Sequence, residues 1–308
     1  FFSYFARANY DYQGKYLFKV SIRKDGSSRF GKANRYGVFP AFSAGWVLSK
    51  EDFLSSSDVI SLLKLRASWG KTGNAEIGNF ASRDLWNAAS YKQLPAIEPA
   101  QPESPNLTWE KSSQTDIGLD FGVFNNRVSG EIDFYNKKTN GLLFYQNIPY
   151  TSGYSNIYRN IGDMKNTGFE MVINTQNIKK DNFTWDTNFN VAKNNNEITA
   201  LPDDNRDQII GNVIRRVGER LDSFYLVEYA GVDPNNGDAL FYKNTLNPDG
   251  TLDKTKTNDY SEAQRIIAGS STPDWIAGLT NTVEYKNFDF SFTFYGEFGG
   301  NLYNSGGK

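Results

Sequence analysis

Residues 288–300 read FDFSFTFYGEFGG. Phenylalanine takes every second position from Phe288 to Phe294, and Asp289, Ser291, Thr293 and Tyr295 fill the gaps. A period of two sends alternate side chains to opposite faces, so this stretch predicts a strand with one apolar face. Two environments accept such a face: the core of a soluble sandwich, or the hydrocarbon of a bilayer.

The same alternation recurs along the chain. Phe2, Tyr4, Ala6, Ala8, Tyr10 and Tyr12 oppose Ser3, Arg7, Asn9 and Asp11, with Phe5 the exception. Tyr16, Phe18, Val20 and Ile22 follow, then Phe42, Ala44, Trp46 and Leu48, then Leu63, Leu65, Ala67 and Trp69. Thr115 to Phe121, Val128 to Phe134, Phe169 to Ile173, Phe183 to Val191 and Trp275 to Tyr285 repeat the pattern, giving about ten strands. Long polar links over 24–36, 71–105, 144–167 and 194–272 alternate with short turns. Ser49 to Asp52 reads as a helix N-cap followed by an acidic residue, predicting a short helix over 50–56. Membrane barrels show this rhythm, with short turns on one rim and long loops on the other. The apolar faces carry no Lys, Arg, Asp or Glu in these stretches, and Asn281 is their one awkward polar residue. The opposite faces are rich in Ser, Thr, Asn, Asp and Gly, which suits a wet lumen. Trp69, Trp109, Trp185, Trp275 and Tyr285 fall near strand ends, where barrels place interface girdles. The expectation is that the face of residues 288–294 meets lipid and that Asp289, Ser291 and Thr293 face the lumen.

Composition narrows the chemistry. The chain has 308 residues, 39% hydrophobic and 22% charged, which is the composition of an ordered protein. The net charge of -2 gives no reason to expect nucleic acid. With no cysteine and no histidine, disulfides, thiolate metal sites and Ser-His-Asp or Cys-His nucleophiles are excluded. No nucleophile–base constellation remains, so no enzyme, cofactor or metal is expected. Mean hydropathy is -0.57, a value that does not exclude strands with only one lipid-facing side. Residues 233–238, DPNNGD, and 247–250, NPDG, read as turns rather than calcium loops.

At residues 23–31, RKDGSSRFG, the sequence resembles a signature of the SusC class of TonB-dependent outer-membrane transporters. Residues 34–40 (NRYGVFP), 43–46 (SAGW), 63–74 (LKLRASWGKTGN), 105–111 (PNLTWEK) and 160–170 (NIGDMKNTGFE) resemble further elements of the class, in the same order. The resemblance implies an all-β fold: a transmembrane antiparallel β-barrel portion, about ten strands of a 22-stranded barrel with long extracellular loops. The whole of 1–308 is then partial barrel, with the plug domain, TonB box and final strands expected elsewhere. It further implies energy-dependent import of oligosaccharides or peptides across the bacterial outer membrane, with a SusD-like surface lipoprotein and TonB as partners. A passive or structural barrel is the alternative. Asp25, Gly26, Ser27, Ser28, Arg29, Phe30, Gly31 and Arg35 are expected to order a loop, with Asp25, Arg29 and Arg35 in one charge-assisted network. Trp86, Tyr91, Tyr145, Tyr150, Tyr154 and Tyr158 are the candidate substrate or partner contacts in the extracellular loops.

Overall fold

The computed structural model describes residues 1–304. Ten strands form one sheet, each lying beside its neighbour in chain order among these ten. They are β1 (Phe2–Tyr12), β2 (Tyr16–Gly26), β3 (Tyr36–Val47), β4 (Ile60–Asn74) and β5 (Glu110–Val123). There follow β6 (Val128–Asn140), β7 (Asp163–Lys180), β8 (Phe183–Ala200), β9 (Trp275–Tyr285) and β10 (Phe288–Phe298). Neighbours pair antiparallel, as where Phe42 meets Trp69, Ala67 meets Ile117 and Phe134 meets Phe169. An antiparallel meander of this kind satisfies the backbone of each inner strand from both sides, which hydrocarbon demands.

The sheet's two faces match the alternation. On the polar side a concave depression is lined by residues including Lys19, Ser43, Lys64, Arg66, Ser68 and Asp116. The same side carries a charge ladder: Arg66 donates to Asp120 at 2.6 Å and to Asp133 at 2.5 Å, and Lys64 donates to Asp120 at 2.9 Å. On the convex side stand apolar residues. Phe290, Phe292 and Phe294 of β10 follow one another with ring centroids 5.6 Å apart, and Ile117, Phe134, Phe18 and Phe42 are exposed. Ser291 and Thr293 belong to the concave side, where Thr293 shares a hydrogen bond with Thr280 at 2.9 Å and Ser291 with Thr282 at 3.3 Å.

Asn281 is on the convex side but is not stranded there. It is buried, and its Oδ1 accepts from Trp185 Nε1 at 2.9 Å and from Thr187 Oγ1 at 2.7 Å. Asn177 donates to Thr187 at 2.7 Å and accepts from Thr175 at 2.9 Å. Five side chains from β7, β8 and β9 thus satisfy one another near the short-turn rim, removing most of the cost of a polar group on that face.

Several links hold more structure than the sequence pattern predicts. The expected helix over 50–56 is replaced by a 3₁₀ turn, Leu48–Lys50, and further tight turns. Glu51, inside the expected helix, is held by the neighbouring strands: it accepts from Trp46, Tyr16 and Lys15 at 3.0, 2.8 and 3.1 Å. The long loops contain hairpins, Leu85–Tyr91 with Leu94–Gln101 and Leu143–Asn147 with Asn156–Asn160. Pro95 and Pro99 hid the first, and they are tolerated because a two-stranded hairpin has an open edge that needs no N–H.

The chain divides into two compact units. The first, residues 1–195 and 276–296, contains most of the wall and three of the long loops. The second contains residues 196–275 and the stretch from 297. It carries a four-stranded sheet of Gln208–Ile210, Val213–Arg215, Ser223–Val227 and Arg265–Ile267. A three-stranded sheet joins Tyr229–Val232, Ala239–Tyr242 and Lys256–Thr257. Residues 233–238 form a turn, with Gly237 N–H donating to the Asp233 carbonyl at 2.9 Å and Asp233 Oδ1 accepting from Asn235 N at 2.9 Å. At 247–250 Gly250 N–H donates to the Asn247 carbonyl at 3.0 Å.

A nitroxide at Phe290→Cys in the full-length parent, reconstituted in lipid, is expected to be quenched by lipid-soluble oxygen. One at Ser291→Cys is expected to be quenched by a water-soluble nickel chelate. The reverse pattern would invert the wall.

Candidate functional site

The long-loop rim of the first unit has its own core. Phe30, Phe39, Ala75, Ile77, Ala81, Leu107 and Trp109 form one buried cluster, with Leu143 and Tyr158 packed against it. These residues come from the loop after β2, the start of β3, the loop after β4 and the loop after β6. Trp109 is at the centre: its ring lies 5.3 Å from Phe30 and 5.5 Å from Phe39 between centroids. It is a core residue and not part of an interface girdle. The tip of the Phe39 ring sits against Gly37 and Gly73, which have no side chains; a Cβ on either would come within 2.5 Å of it.

Hydrogen bonds sew the same loops together. Trp109 Nε1 donates to the Arg35 carbonyl at 3.3 Å, and Ser27 N–H donates to that carbonyl at 3.0 Å. Asn160 joins two motifs: its Oδ1 accepts from Thr108 N–H at 2.7 Å, and its Nδ2 donates to the Thr108 and Gly141 carbonyls at 2.7 and 3.0 Å. Ser104 Oγ donates to the Tyr158 carbonyl at 2.7 Å, and Glu110 accepts from Leu143 N–H at 3.2 Å. The motifs at 23–31, 34–40, 63–74, 105–111 and 160–170 are therefore one assembly in space.

Within it, Asp25, Arg29 and Arg35 do not form a single network. Asp25 is buried and accepts from Arg23 Nε at 2.6 Å. Arg29 reaches into the next loop, donating to the Ala75 carbonyl at 2.9 Å and to Asn79 at 3.4 Å. Arg35 contributes through its carbonyl, and Asp25 Oδ1 and Arg35 Nε are buried without a hydrogen-bond partner. Gly26 leaves room for the Tyr36 ring, Ser27 Oγ accepts from Arg29 N–H at 3.3 Å, and Gly31 abuts the Pro105 carbonyl. Ser28 is exposed.

The loop aromatics do not gather into one patch. Tyr145 and Tyr158 face each other with centroids 4.6 Å apart. Trp86 and Tyr154, from different hairpins, are held by one carboxylate: Asp84 accepts from Trp86 Nε1 at 3.1 Å and from the Tyr154 hydroxyl at 3.0 Å. Tyr91 has the Lys92 ammonium over its ring, and Tyr150 projects into solvent. Asp84 was invisible in the sequence because its two partners are one local and one 70 residues away. By accepting its hydroxyl proton, Asp84 holds the Tyr154 phenol above its ordinary value.

A sheet with one apolar and one wet face, short turns on one rim and knitted loops on the other, defines the wall of a membrane β-barrel. Comparison with known proteins gives its family. Residues 1–308 match the family described as TonB dependent receptor-like, beta-barrel, and the chain belongs to it. It is 38% identical over 94% of its length to the TonB-dependent receptor SusC of Bacteroides thetaiotaomicron. It is 37% identical over 98% of its length to TonB-dependent receptor P3 of Formosa agariphila. Among solved structures, the RagAB peptide transporter superposes over 95% of this chain with a TM-score of 0.87 at 33% identity. The chain spans about a third of the length of these proteins: 30% of SusC, 32% of P3 and 33% of the RagAB chain. The family consists of outer-membrane receptors and transporters, so the wall's convex face meets lipid and its long-loop rim is extracellular.

Two outcomes test the rim. Trp109→Ala removes the ring that several loops share and is expected to cost about 3–5 kcal/mol. Limited proteolysis should then open the loop over 75–109 while the barrel keeps its heat-modifiable mobility on gels. Asp84→Asn leaves one acceptor oxygen for two donors. The Tyr154 phenol, followed by NMR of labelled tyrosine, is then expected to titrate at lower pH than in the parent; an unchanged midpoint would show that the bond does not form.

Proposed function

We propose that this chain is part of the barrel of an energy-dependent importer that carries oligosaccharides or peptides across the bacterial outer membrane. The observation that carries the reading is the match to SusC and RagAB over nearly the whole chain, at 38% and 33% identity. The RagAB protein is described as a peptide transporter, which favours neither cargo class in this chain by itself. The remainder of the parent supplies a plug domain and a TonB box, and a SusD-like lipoprotein covers the extracellular mouth. The knitted rim supports that arrangement: a fixed base of loops carries exposed Trp86, Tyr91 and Tyr150 toward a partner or a cargo. Asp25 to Gly31 and Arg35 act in this reading by ordering the base rather than by touching cargo. Catalysis has no part in it.

The test is a pull-down of the intact parent from detergent-solubilised outer membrane, paired with growth on a single glycan or peptide source with and without functional TonB. A co-purifying lipoprotein and TonB-dependent growth are the expected results. Uptake that survives loss of TonB, with no lipoprotein bound, would replace the importer with a passive barrel.

A further inference from the structure

The convex face changes character at one level of the wall. Toward the short turns it is apolar, with Ile117, Phe134 and Phe169. Above these stand Trp69, Thr115, Asn136 and Thr167, in direct register across β4, β5, β6 and β7. The next row toward the long loops is Lys71, Ser113, Lys138 and Lys165, again in register across the same four strands. One row higher come Gly73, Lys111, Asn140 and Asp163.

The lysine row contains no carboxylate. Lys138 and Lys165 are direct cross-strand partners, with Cα atoms about 4.5–5.5 Å apart, a spacing at which like charges destabilise a sheet. Lys71 has its ammonium 5.7 Å from the centre of the Trp69 ring, which belongs to the convex face. The acid nearest the row, Asp163, turns Oδ1 to the Gly141 N–H at 3.0 Å. The charged side chains on neighbouring positions of these strands, Lys137 beside the row and Glu110 toward the long loops, belong to the concave side. Lys111 adds a fourth positive charge above the row. A protein that opposes two lysines on adjacent strands gains from an external anion between them.

We propose that this row binds the phosphate groups of glycolipid headgroups in the outer leaflet. The row lies on the lipid side, one mixed row (Trp69, Thr115, Asn136, Thr167) above the apolar band, so its occupant sits at the edge of the hydrocarbon while offering negative charge. A phosphate-bearing lipid headgroup does both. Ser113, Thr115, Asn136 and Thr167 supply hydroxyl and amide donors around the ammonium groups, as headgroup oxygens require. The inference depends on the membrane placement of the wall and not on the cargo, so it stands or falls separately from the import reading.

The experiment uses the full-length parent in nanodiscs, with bisphosphorylated lipid A as probe and phosphate-stripped lipid A as control, read by native mass spectrometry. The wild type is expected to retain the phosphorylated probe and to lose the control. The combined change Lys71→Gln, Lys138→Gln and Lys165→Gln is expected to weaken retention on the order of a hundredfold. The matching triple change to Arg is expected to preserve it. Without lipid A, the Gln variant is expected to melt at or above the wild-type temperature, since its row no longer repels itself. Equal retention by the Gln variant, or equal binding of stripped lipid A, would overturn the proposal. So would inorganic phosphate binding as tightly as the lipid, or an acidic protein occupying the row that lipid A fails to displace.

Discussion

A strand in hydrocarbon has no water to satisfy its N–H and C=O groups, and the rest of this structure depends on that constraint. It forces the inner strands to pair along their membrane-spanning lengths, and it fixes register, because a slip of one residue would turn every phenylalanine inward and every aspartate outward. The paired rows Phe42–Trp69, Ala67–Ile117 and Phe134–Phe169 are the visible result. The concave face is free of this constraint, so it can hold Arg66 between Asp120 and Asp133.

Where the ladder ends, a different force takes over. The loops leave the sheet on the extracellular rim, in water, and need a core of their own. Trp109, Phe30 and Phe39 provide it, and Asn160, Arg29 and the Arg35 carbonyl close the hydrogen bonds that such packing would otherwise bury unpaired. This explains why the motifs scattered along the chain belong together: Phe30, Phe39, Leu107 and Trp109 fill one small core, Gly73 leaves room for it, and Asn160 ties a further loop to it. The hairpins beyond that core are fastened at fewer points, with Asp84 bridging the two that carry Trp86 and Tyr154.

The wall was legible from the sequence because a period of two over eight or more residues survives inspection of single strands. The Phe288–Phe298 strand, its partner Trp275–Tyr285 and the short turn between them needed no tertiary information. The rim was legible only as a resemblance. Its residues are spread over four chain segments, and nothing in RKDGSSRFG says that Arg29 reaches Ala75 or that Asp25 prefers Arg23. Local rules failed where tertiary contacts outbid them: the helix expected over 50–56 gives way to turns in which Glu51 binds Trp46, Tyr16 and Lys15. The loop hairpins were hidden by prolines that a central strand would not accept.

The central claim is that one sheet separates lipid from a wet lumen, and electron cryomicroscopy of the full-length parent in a lipid nanodisc tests it most directly. The account predicts acyl-chain density lying against Phe18, Phe42, Phe134 and Phe292, with water or protein density against Arg66, Asp120 and Ser291. Lipid density on the Arg66 side, or a dry protein core packed on the phenylalanine side, would contradict it.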